Sequence, residues 1–213
     1  MSASVSLPPI PDVPPPPSPS FLALAERRPL WVFGYGSLMW DPGFASEESA
    51  SGRLHGYHRR FCIYSHHYRG TPERPGLVLG LDRGGSCRGM AYRVAPETAL
   101  EVLGYLWHRE MITAVYRPRI GRVHLVDGRM VEALTFVADP RHPQYHAGRC
   151  VDAAAAMIRA GRGKRGPNRD YLLNTLAHLE TLGIHDDGLR RVLLALDGPP
   201  QPADAASDQA QRE

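Results

Sequence analysis

The segment from Trp31 to Leu38 reads WVFGYGSL, an apolar run that leads into a tyrosine flanked by two glycines. The β-branched and aromatic residues predict a buried strand that ends near Phe33. Gly34 and Gly36 let the backbone turn sharply and present consecutive N–H groups, an arrangement that can hold a carboxylate or a phosphate. A turn that only closes the strand is the alternative that these residues leave open.

Short apolar runs broken by glycine and proline fill the first two thirds of the chain and predict strands. The predicted strands are Leu30 to Phe33, Leu54 to Ser65, Gly76 to Leu81, Cys87 to Val94, Arg119 to Val126 and Val131 to Ala138. The last two flank Asp127-Gly128, which predicts an antiparallel hairpin with a type I′ turn. Several strands with one interposed helix and a helical last third indicate an α+β fold, whose mixed or antiparallel sheet can close into a small barrel.

Four helices are expected. One begins near Pro96, because the apolar residues after it recur at spacings of three and four. The others are Asp152 to Ala160, a helix capped by Asn168, and a helix opened by Asp186 or Asp187.

The two ends of the chain differ from the middle in composition. Eight prolines fall within the first 20 residues, and residues 199–213 contain few large apolar side chains. Such segments cannot bury enough apolar surface to offset the entropy of ordering. We therefore expect a disordered proline-rich tail over residues 1–21, one folded domain over 22–198, and a flexible tail over 199–213.

The cysteines, the apolar runs and the basic residues exclude several classes of protein. Three widely spaced cysteines suggest a reducing compartment, and the longest apolar run, 12 residues, is too short to cross a membrane. We expect a cytoplasmic protein with no membrane partner. Of the 25 basic residues only Lys164 is a lysine, and the arginines are scattered except between Arg159 and Arg169. The scatter argues against nucleic-acid binding.

Glu110 is the strongest candidate for acid–base chemistry. If the helix near Pro96 continues this far, Glu110 lies three residues after Trp107 and four after Leu106, on the apolar face. Burial disfavours the charged form and raises the pKa of a carboxyl toward neutrality, as a general acid or base requires. A structural ion pair with Arg109 is the alternative.

The histidines do not have the spacing of a metal site. His55 and His58 are three apart in a predicted strand, and His66 and His67 are adjacent, so each pair points to opposite faces. We therefore expect solvated or locally bonded histidines and no metal. The cysteines also lack a recognisable nucleophile context; Cys62, for example, lies between Phe61 and Ile63.

Five blocks of the chain, taken in order, resemble the ChaC family of glutathione-specific γ-glutamylcyclotransferases. The first runs from Val32 to Phe44 and the second, in two parts, covers Gly56 to Cys62 and Arg69 to Gly76. The others are Cys87 to Val94, the pair Arg109-Glu110, and Gly166 to Leu172. One departure is visible, because many family members follow the Arg-Glu pair closely with Gly-Gly-Tyr, whereas this chain has Met111 to Tyr116.

The resemblance implies a γ-glutamylcyclotransferase-like small barrel with surrounding helices, and it implies roles for individual residues. Glu110 is the expected catalytic acid/base, and Tyr145 the expected substrate-facing tyrosine. Arg69 and Arg93 are candidate pocket arginines. The γ-glutamyl group is expected to bind the segment that contains Val32, Phe33, Gly34, Tyr35, Gly36, Ser37 and Leu38. We expect a monomer that acts on a small molecule and needs no cofactor.

The reaction that the resemblance implies is intramolecular. The α-amine of a γ-glutamyl group attacks its own side-chain amide, so glutathione would give 5-oxoproline and Cys-Gly without water, a metal or a covalent enzyme intermediate. Two alternatives stay open. One is a cyclotransferase for other γ-glutamyl amines or peptides, and the other is a non-catalytic protein that binds γ-glutamyl compounds or interacts through its proline-rich tail.

Overall fold

The computed structural model describes residues 16–27 and 29–198 and contains a small barrel with helices packed around it. The strands are β1 (Leu30–Gly34), β2 (Glu48–Ser65), β3 (Gly76–Val94), β4 (Tyr116–Leu125), β5 (Met130–Ala138), β6 (Arg162–Gly163) and β7 (Gly166–Pro167). The helices are α1 (Pro19–Arg27), α2 (Ala99–Glu110), α3 (Val151–Ala160), α4 (Asn168–Thr181) and α5 (Asp187–Asp197). Two 3₁₀ turns cover Ser37–Met39 and Pro96–Thr98.

Five strands close the barrel in the order β1-β3-β2-β4-β5. All neighbours are antiparallel except β1 and β5, which pair in parallel. The predicted mixed sheet and its closure into a small barrel are therefore confirmed. Closure leaves none of these five strands as an unpaired edge.

The strands differ from the prediction at the glycines. Gly76 to Leu81 and Cys87 to Val94 are parts of the single strand β3, which pairs with β2 along its length. Gly84 and Gly85, at φ of 96° and 70°, carry the backbone through a conformation that most residues avoid, so the pairing continues where the composition predicts a break. β4 and β5 form the predicted hairpin. Its turn is not type I′, because that type needs positive φ at both central residues and, of Asp127 and Gly128, only Gly128 has it.

Helix α1 begins at Pro19, within the range assigned to the disordered tail. Ala25 on this helix is 1% exposed and packs in the cluster that holds α2 against the barrel, which supplies the apolar burial that composition did not reveal. This helix therefore starts three residues before the predicted domain boundary at Leu22. The rest of the N-terminal tail prediction, over residues 1–15, and all of residues 199–213 lie outside the described residues.

Two apolar clusters share the strands of the barrel. Val32 of β1 packs with the cluster that includes α2, and its neighbour Phe33 packs with the cluster that includes α3, α4 and α5. Both side chains are fully buried. β1 is thus fixed from both faces, and so is the start of the turn that follows it.

Asn168 does not cap α4 with its side chain. It is the first residue of the helix, is fully buried, and pairs with β3: its Oδ1 accepts from the Leu77 backbone N–H at 2.6 Å and its Nδ2 donates to the Leu77 carbonyl at 2.8 Å. The amide side chain supplies the same donor and acceptor as a strand neighbour. Asp186, by contrast, does cap α5, because its side chain accepts from the Leu189 N–H at 3.0 Å.

We predict that Asn168→Ala lowers the free energy of unfolding by about 2 to 5 kcal/mol, since it leaves two buried backbone groups without partners. The measurement is chemical denaturation at neutral pH. Asn174→Ala, the same change at an exposed position of α4, is the control. Equal stability of the two variants would contradict the bridging role of Asn168.

Candidate active site

A pocket opens beside the turn after β1, next to the end of α2. It is partly open to solvent, and its cavity volume is about 60 Å³. Its wall is made of Tyr35, Gly36, Ser37, Leu38, Leu79, Glu110, Tyr116, Phe136 and Tyr171. The pocket therefore brings together the two features that the sequence singled out, the glycine-flanked turn and Glu110.

Only the second half of the predicted binding segment lines the pocket. Residues 35–38 are on its wall, whereas Val32, Phe33 and Gly34 belong to β1 and contribute to the core behind it. Gly34 has a steric role, because a Cβ at this position would lie 2.9 Å from the Leu38 Cβ. Glycine here lets the 3₁₀ turn fold back over the end of the strand.

Tyr145 is not brought to the pocket. Its hydroxyl donates to Asp82 Oδ1 at 2.9 Å and accepts from Arg60 at 3.2 Å, and its backbone bridges to Ile63 of β2. Burial first, and then the bond to Asp82, raise the pKa of Tyr145. The side chain is engaged in a polar cluster on β2 and β3, so the structure does not support contact with a substrate in this pocket.

Glu110, the last residue of α2, has a side chain that is 17% exposed. Burial raises the pKa of this carboxyl to about 7, and the opposing effect of Arg109, whose Nε lies 3.4 Å from Oε1, is smaller. The buried carboxyl and the ion pair with Arg109, which the sequence offered as alternatives, are therefore both present. Glu110 faces the core with a pKa near neutrality, and it also pairs with Arg109.

Arg109 connects α2 to the turn. One terminal nitrogen donates to the Asp41 carbonyl at 2.8 Å, and the other donates to Ser37 Oγ at 2.9 Å. The Tyr105 hydroxyl, one helical turn earlier, accepts from the same guanidinium at 2.9 Å. Arg109 thereby fixes Glu110 and the pocket turn relative to each other.

Three tyrosines surround the carboxylate, and sequence reasoning did not assign any of them beyond Tyr35 to the site. Burial raises the pKa of Tyr35 and Tyr116, and raises that of Tyr171 to about 12. Their hydroxyls therefore stay protonated at neutral pH and act as neutral hydrogen-bonding groups. The Tyr116 hydroxyl donates to the Leu79 carbonyl at 2.7 Å, and the Tyr171 hydroxyl lies 3.9 Å from where a Cβ on Gly36 would be.

The segment that departs from the family pattern still delivers a tyrosine to the pocket. Tyr116 is the first residue of β4 and lines the wall. Two residues earlier, Ala114 has a φ of 54°, the left-handed region that favours glycine. The chain thus makes the backbone turn expected of a glycine, at the cost of local strain.

A buried ion pair holds the turn from the side of the barrel. Arg59 Nε donates to the Tyr35 carbonyl at 2.5 Å, and its terminal nitrogens donate to Asp186 at 2.6 Å and to the Arg88 carbonyl at 2.6 Å. The Arg59 side chain is 2% exposed. Since Asp186 also caps α5, this arginine ties the C-terminal helix to the backbone of the pocket turn.

The histidines and cysteines in the part of the chain that the structure describes lie outside the wall of this pocket. Within residues 16–27 and 29–198, no three His, Cys, Asp or Glu side chains are placed to share a metal ion. His58 bonds locally, through Nδ1 and the Gly84 carbonyl at 2.9 Å. All three cysteines are free thiols, and burial raises the pKa of Cys62 to about 12 and of Cys87 to about 11. In the described part of the chain, every helix is too short or too polar to cross a bilayer.

The chain is similar in sequence to a known protein family and to characterised proteins. The family described as ChaC-like protein matches residues 30–197. The glutathione-specific gamma-glutamylcyclotransferase of Escherichia coli K12 is 44% identical over 171 residues, which cover 80% of this chain and 74% of the bacterial protein. The glutathione-specific gamma-glutamylcyclotransferase 1 of Mus musculus is 37% identical over 203 residues, which cover 92% of this chain and 91% of the mouse protein.

Solved structures share the fold. The crystal structure of a gamma-glutamyl cyclotransferase specific to glutathione from yeast matches with a TM-score of 0.70 and 24% sequence identity, over 79% of this chain and 98% of the yeast chain. The expected barrel with surrounding helices is confirmed by this likeness and by the strand order.

The raised pKa of Glu110 makes stability depend on pH. The folded state holds the proton up to about pH 7, whereas the ordinary value for the unfolded chain is 4.5. The contribution to stability is therefore complete below pH 4.5 and is lost as the pH rises through 7. We predict that the unfolding free energy of Glu110→Gln, relative to the unsubstituted protein, rises by up to about 3 kcal/mol between pH 4 and pH 8.

Denaturant titrations at several pH values measure this difference. Glu101→Gln, the same substitution at an exposed position of α2, is the matched control. A pH-independent difference between Glu110→Gln and the unsubstituted protein would show that the Glu110 carboxyl is not desolvated in the folded state.

Proposed function

The chain belongs to the ChaC-like protein family, and we propose that it is a glutathione-specific γ-glutamylcyclotransferase that releases 5-oxoproline and Cys-Gly. The observation that carries this proposal is the carboxyl of Glu110, with a pKa of about 7, on the wall of a pocket whose other side is the 35–38 turn. The names and the extent of similarity of the bacterial and mouse relatives support the choice of glutathione.

The reaction transfers protons between two nitrogens of one substrate. The α-amine arrives as an ammonium group, and the Glu110 carboxylate removes a proton from it. The free amine attacks the γ-carbonyl carbon, which forms the five-membered ring, and the bond from that carbon to the cysteinyl nitrogen then breaks. Two protons in all pass from the attacking nitrogen to the leaving nitrogen, so Cys-Gly departs with an ammonium group and the ring keeps one N–H.

A group with a pKa near 7 is suited to both halves of this transfer, because its acid and base forms are both populated at neutral pH. The protein supplies little further chemistry, since the nucleophile already belongs to the substrate and the gain comes from holding it in the attacking conformation. Backbone N–H groups of residues 35–38 are the proposed donors to the substrate α-carboxylate or to the oxyanion that develops on the γ-carbonyl.

The neutral tyrosines complete the proposed site. Tyr116 and Tyr171 line the same wall as Glu110, and their raised pKa values keep their oxygens uncharged beside the carboxylate. Because Tyr116 donates to the Leu79 carbonyl, its oxygen lone pairs remain to accept from the substrate ammonium group. Tyr145 has no role in this proposal, because Asp82 and Arg60 engage its hydroxyl.

The monomeric state and the cytoplasmic location stay predictions. The first rests on the sequence alone, and the second rests on the three cysteines, which are unpaired in the structure.

We predict that Glu110→Gln lowers kcat on glutathione by about 10²- to 10⁴-fold, the range for removal of a general acid or base, while the fold is kept. The assay follows 5-oxoproline and Cys-Gly by mass spectrometry, with Glu101→Gln as the control. Unchanged turnover in Glu110→Gln would overturn the assignment of this residue.

The choice of substrate is tested by competition. Glutathione and γ-glutamyl-alanine share the γ-glutamyl half and differ only in the leaving group. Preferential conversion of glutathione supports the proposal, preferential conversion of γ-glutamyl-alanine points to other γ-glutamyl amines, and binding of glutathione without any product points to a non-catalytic protein.

A further inference from the structure

A second cleft continues outward from the catalytic pocket. Ser37 and Glu110 line both cavities, so Glu110 stands at the junction between them. If the γ-glutamyl group fills the inner pocket, the bond that breaks lies beside Glu110 and the leaving dipeptide extends into this outer cleft. The inference below therefore rests on the proposed function.

The outer cleft contains two arginines whose surroundings differ. Arg109 already donates to the Asp41 and Pro42 carbonyls, to Ser37 and to Tyr105, and it pairs with Glu110. Arg165 is exposed, and within the described residues its guanidinium has no carboxylate partner. Its recorded side-chain contact is with Tyr68, over whose ring the guanidinium carbon lies 4.8 Å from the centroid.

The backbone of Arg165 is fixed although its side chain is exposed. Its N–H donates to the Tyr68 carbonyl at 3.0 Å, and its own carbonyl accepts from Arg69 at 2.7 Å. The short β6–β7 hairpin places it there, with Gly166 at a φ of 89°. A guanidinium that lies over an aromatic ring keeps its in-plane N–H donors available, the geometry that binds a carboxylate through two parallel hydrogen bonds.

The leaving dipeptide carries one carboxylate, at its glycine end. Two extended residues span at most about 7 Å, so this carboxylate stays within reach of the cleft that begins at Glu110. His108 also lines the cleft, and Asp41 lies on its Arg109 side, where its backbone carbonyl accepts from Arg109. Of the two cleft arginines, Arg109 pairs with Glu110, whereas no carboxylate among the described residues pairs with Arg165.

We propose that Arg165, supported by Tyr68, binds the glycyl carboxylate of glutathione and so determines the preference for a Cys-Gly leaving group. Nothing in the chemistry of ring closure requires this contact, because the reacting atoms all lie on the γ-glutamyl side. The residue therefore determines specificity and does not act in catalysis.

The test compares glutathione with its C-terminal amide, in which the glycyl carboxylate is replaced by an uncharged group. We expect Arg165→Gln to lower kcat/KM for glutathione by roughly 10- to 100-fold, the effect of losing a charge-assisted hydrogen bond, and to leave kcat/KM for the amide unchanged. Lys164→Gln removes the same charge from the neighbouring residue of the hairpin, which is not on the cleft wall, and is expected to leave both substrates unaffected. An equal loss on both substrates, or no loss on glutathione, would overturn the proposal.

Binding separates this proposal from the proposed function. Titration calorimetry in the Glu110→Gln background compares the Kd of glutathione and of the amide, with and without Arg165→Gln, and needs no turnover. If Arg165→Gln weakens the binding of glutathione but not of the amide, the carboxylate site is supported. That conclusion holds even if the unsubstituted protein forms no 5-oxoproline. The lack of product would refute only the proposed function. If the unsubstituted protein converts glutathione but Arg165→Gln changes the Kd of glutathione no more than that of the amide, the role of Arg165 is refuted. The proposed function is then unaffected.

Discussion

Glu110 is held at the end of α2, where the turn after β1, the strands β3, β4 and β5 and helix α4 surround its carboxylate and leave it largely buried. Removing solvent from a carboxyl raises its pKa, and the partial negative charge at a helix C-terminus acts in the same direction. Arg109 offsets only part of that effect. The barrel, the turn and the tyrosines can therefore be understood as the surroundings that a neutral-range carboxyl needs, with Arg109 keeping it in place.

Two arginines join elements that are distant in sequence at the backbone of one turn. Arg109 donates a hydrogen bond to Ser37 in the turn. Arg59 donates to the Tyr35 carbonyl of the turn and also to Asp186, so it links α5 to the turn. Both are almost fully engaged in hydrogen bonds, so their charges are used for positioning. This arrangement explains how a glycine-containing turn can be rigid enough to orient a substrate whose own amine is the nucleophile.

Patterns local in sequence predicted much of the site, and contacts between distant segments decided the rest. The spacing of apolar residues in α2 was sufficient to predict that Glu110 is buried, and the glycines after β1 were sufficient to predict the turn. Asn168 was misassigned because a helix cap and a bridge to β3 both place asparagine at a helix start, and only the position of Leu77 distinguishes them. Tyr116 and Tyr171 resemble ordinary core residues in sequence, since nothing local shows that β4 and α4 meet at one pocket.

The role of Glu110 depends on the pH at which its own carboxyl loses its proton. Carboxyl carbon NMR of the free protein, with the resonance assigned by its loss in Glu110→Gln, measures the titration midpoint of this one group. We expect a midpoint near 7, because burial outweighs the attraction of Arg109. A midpoint near the ordinary value of 4.5 would mean that the carboxyl is solvated or fully neutralised by Arg109, and that its burial cannot be the source of acid–base function.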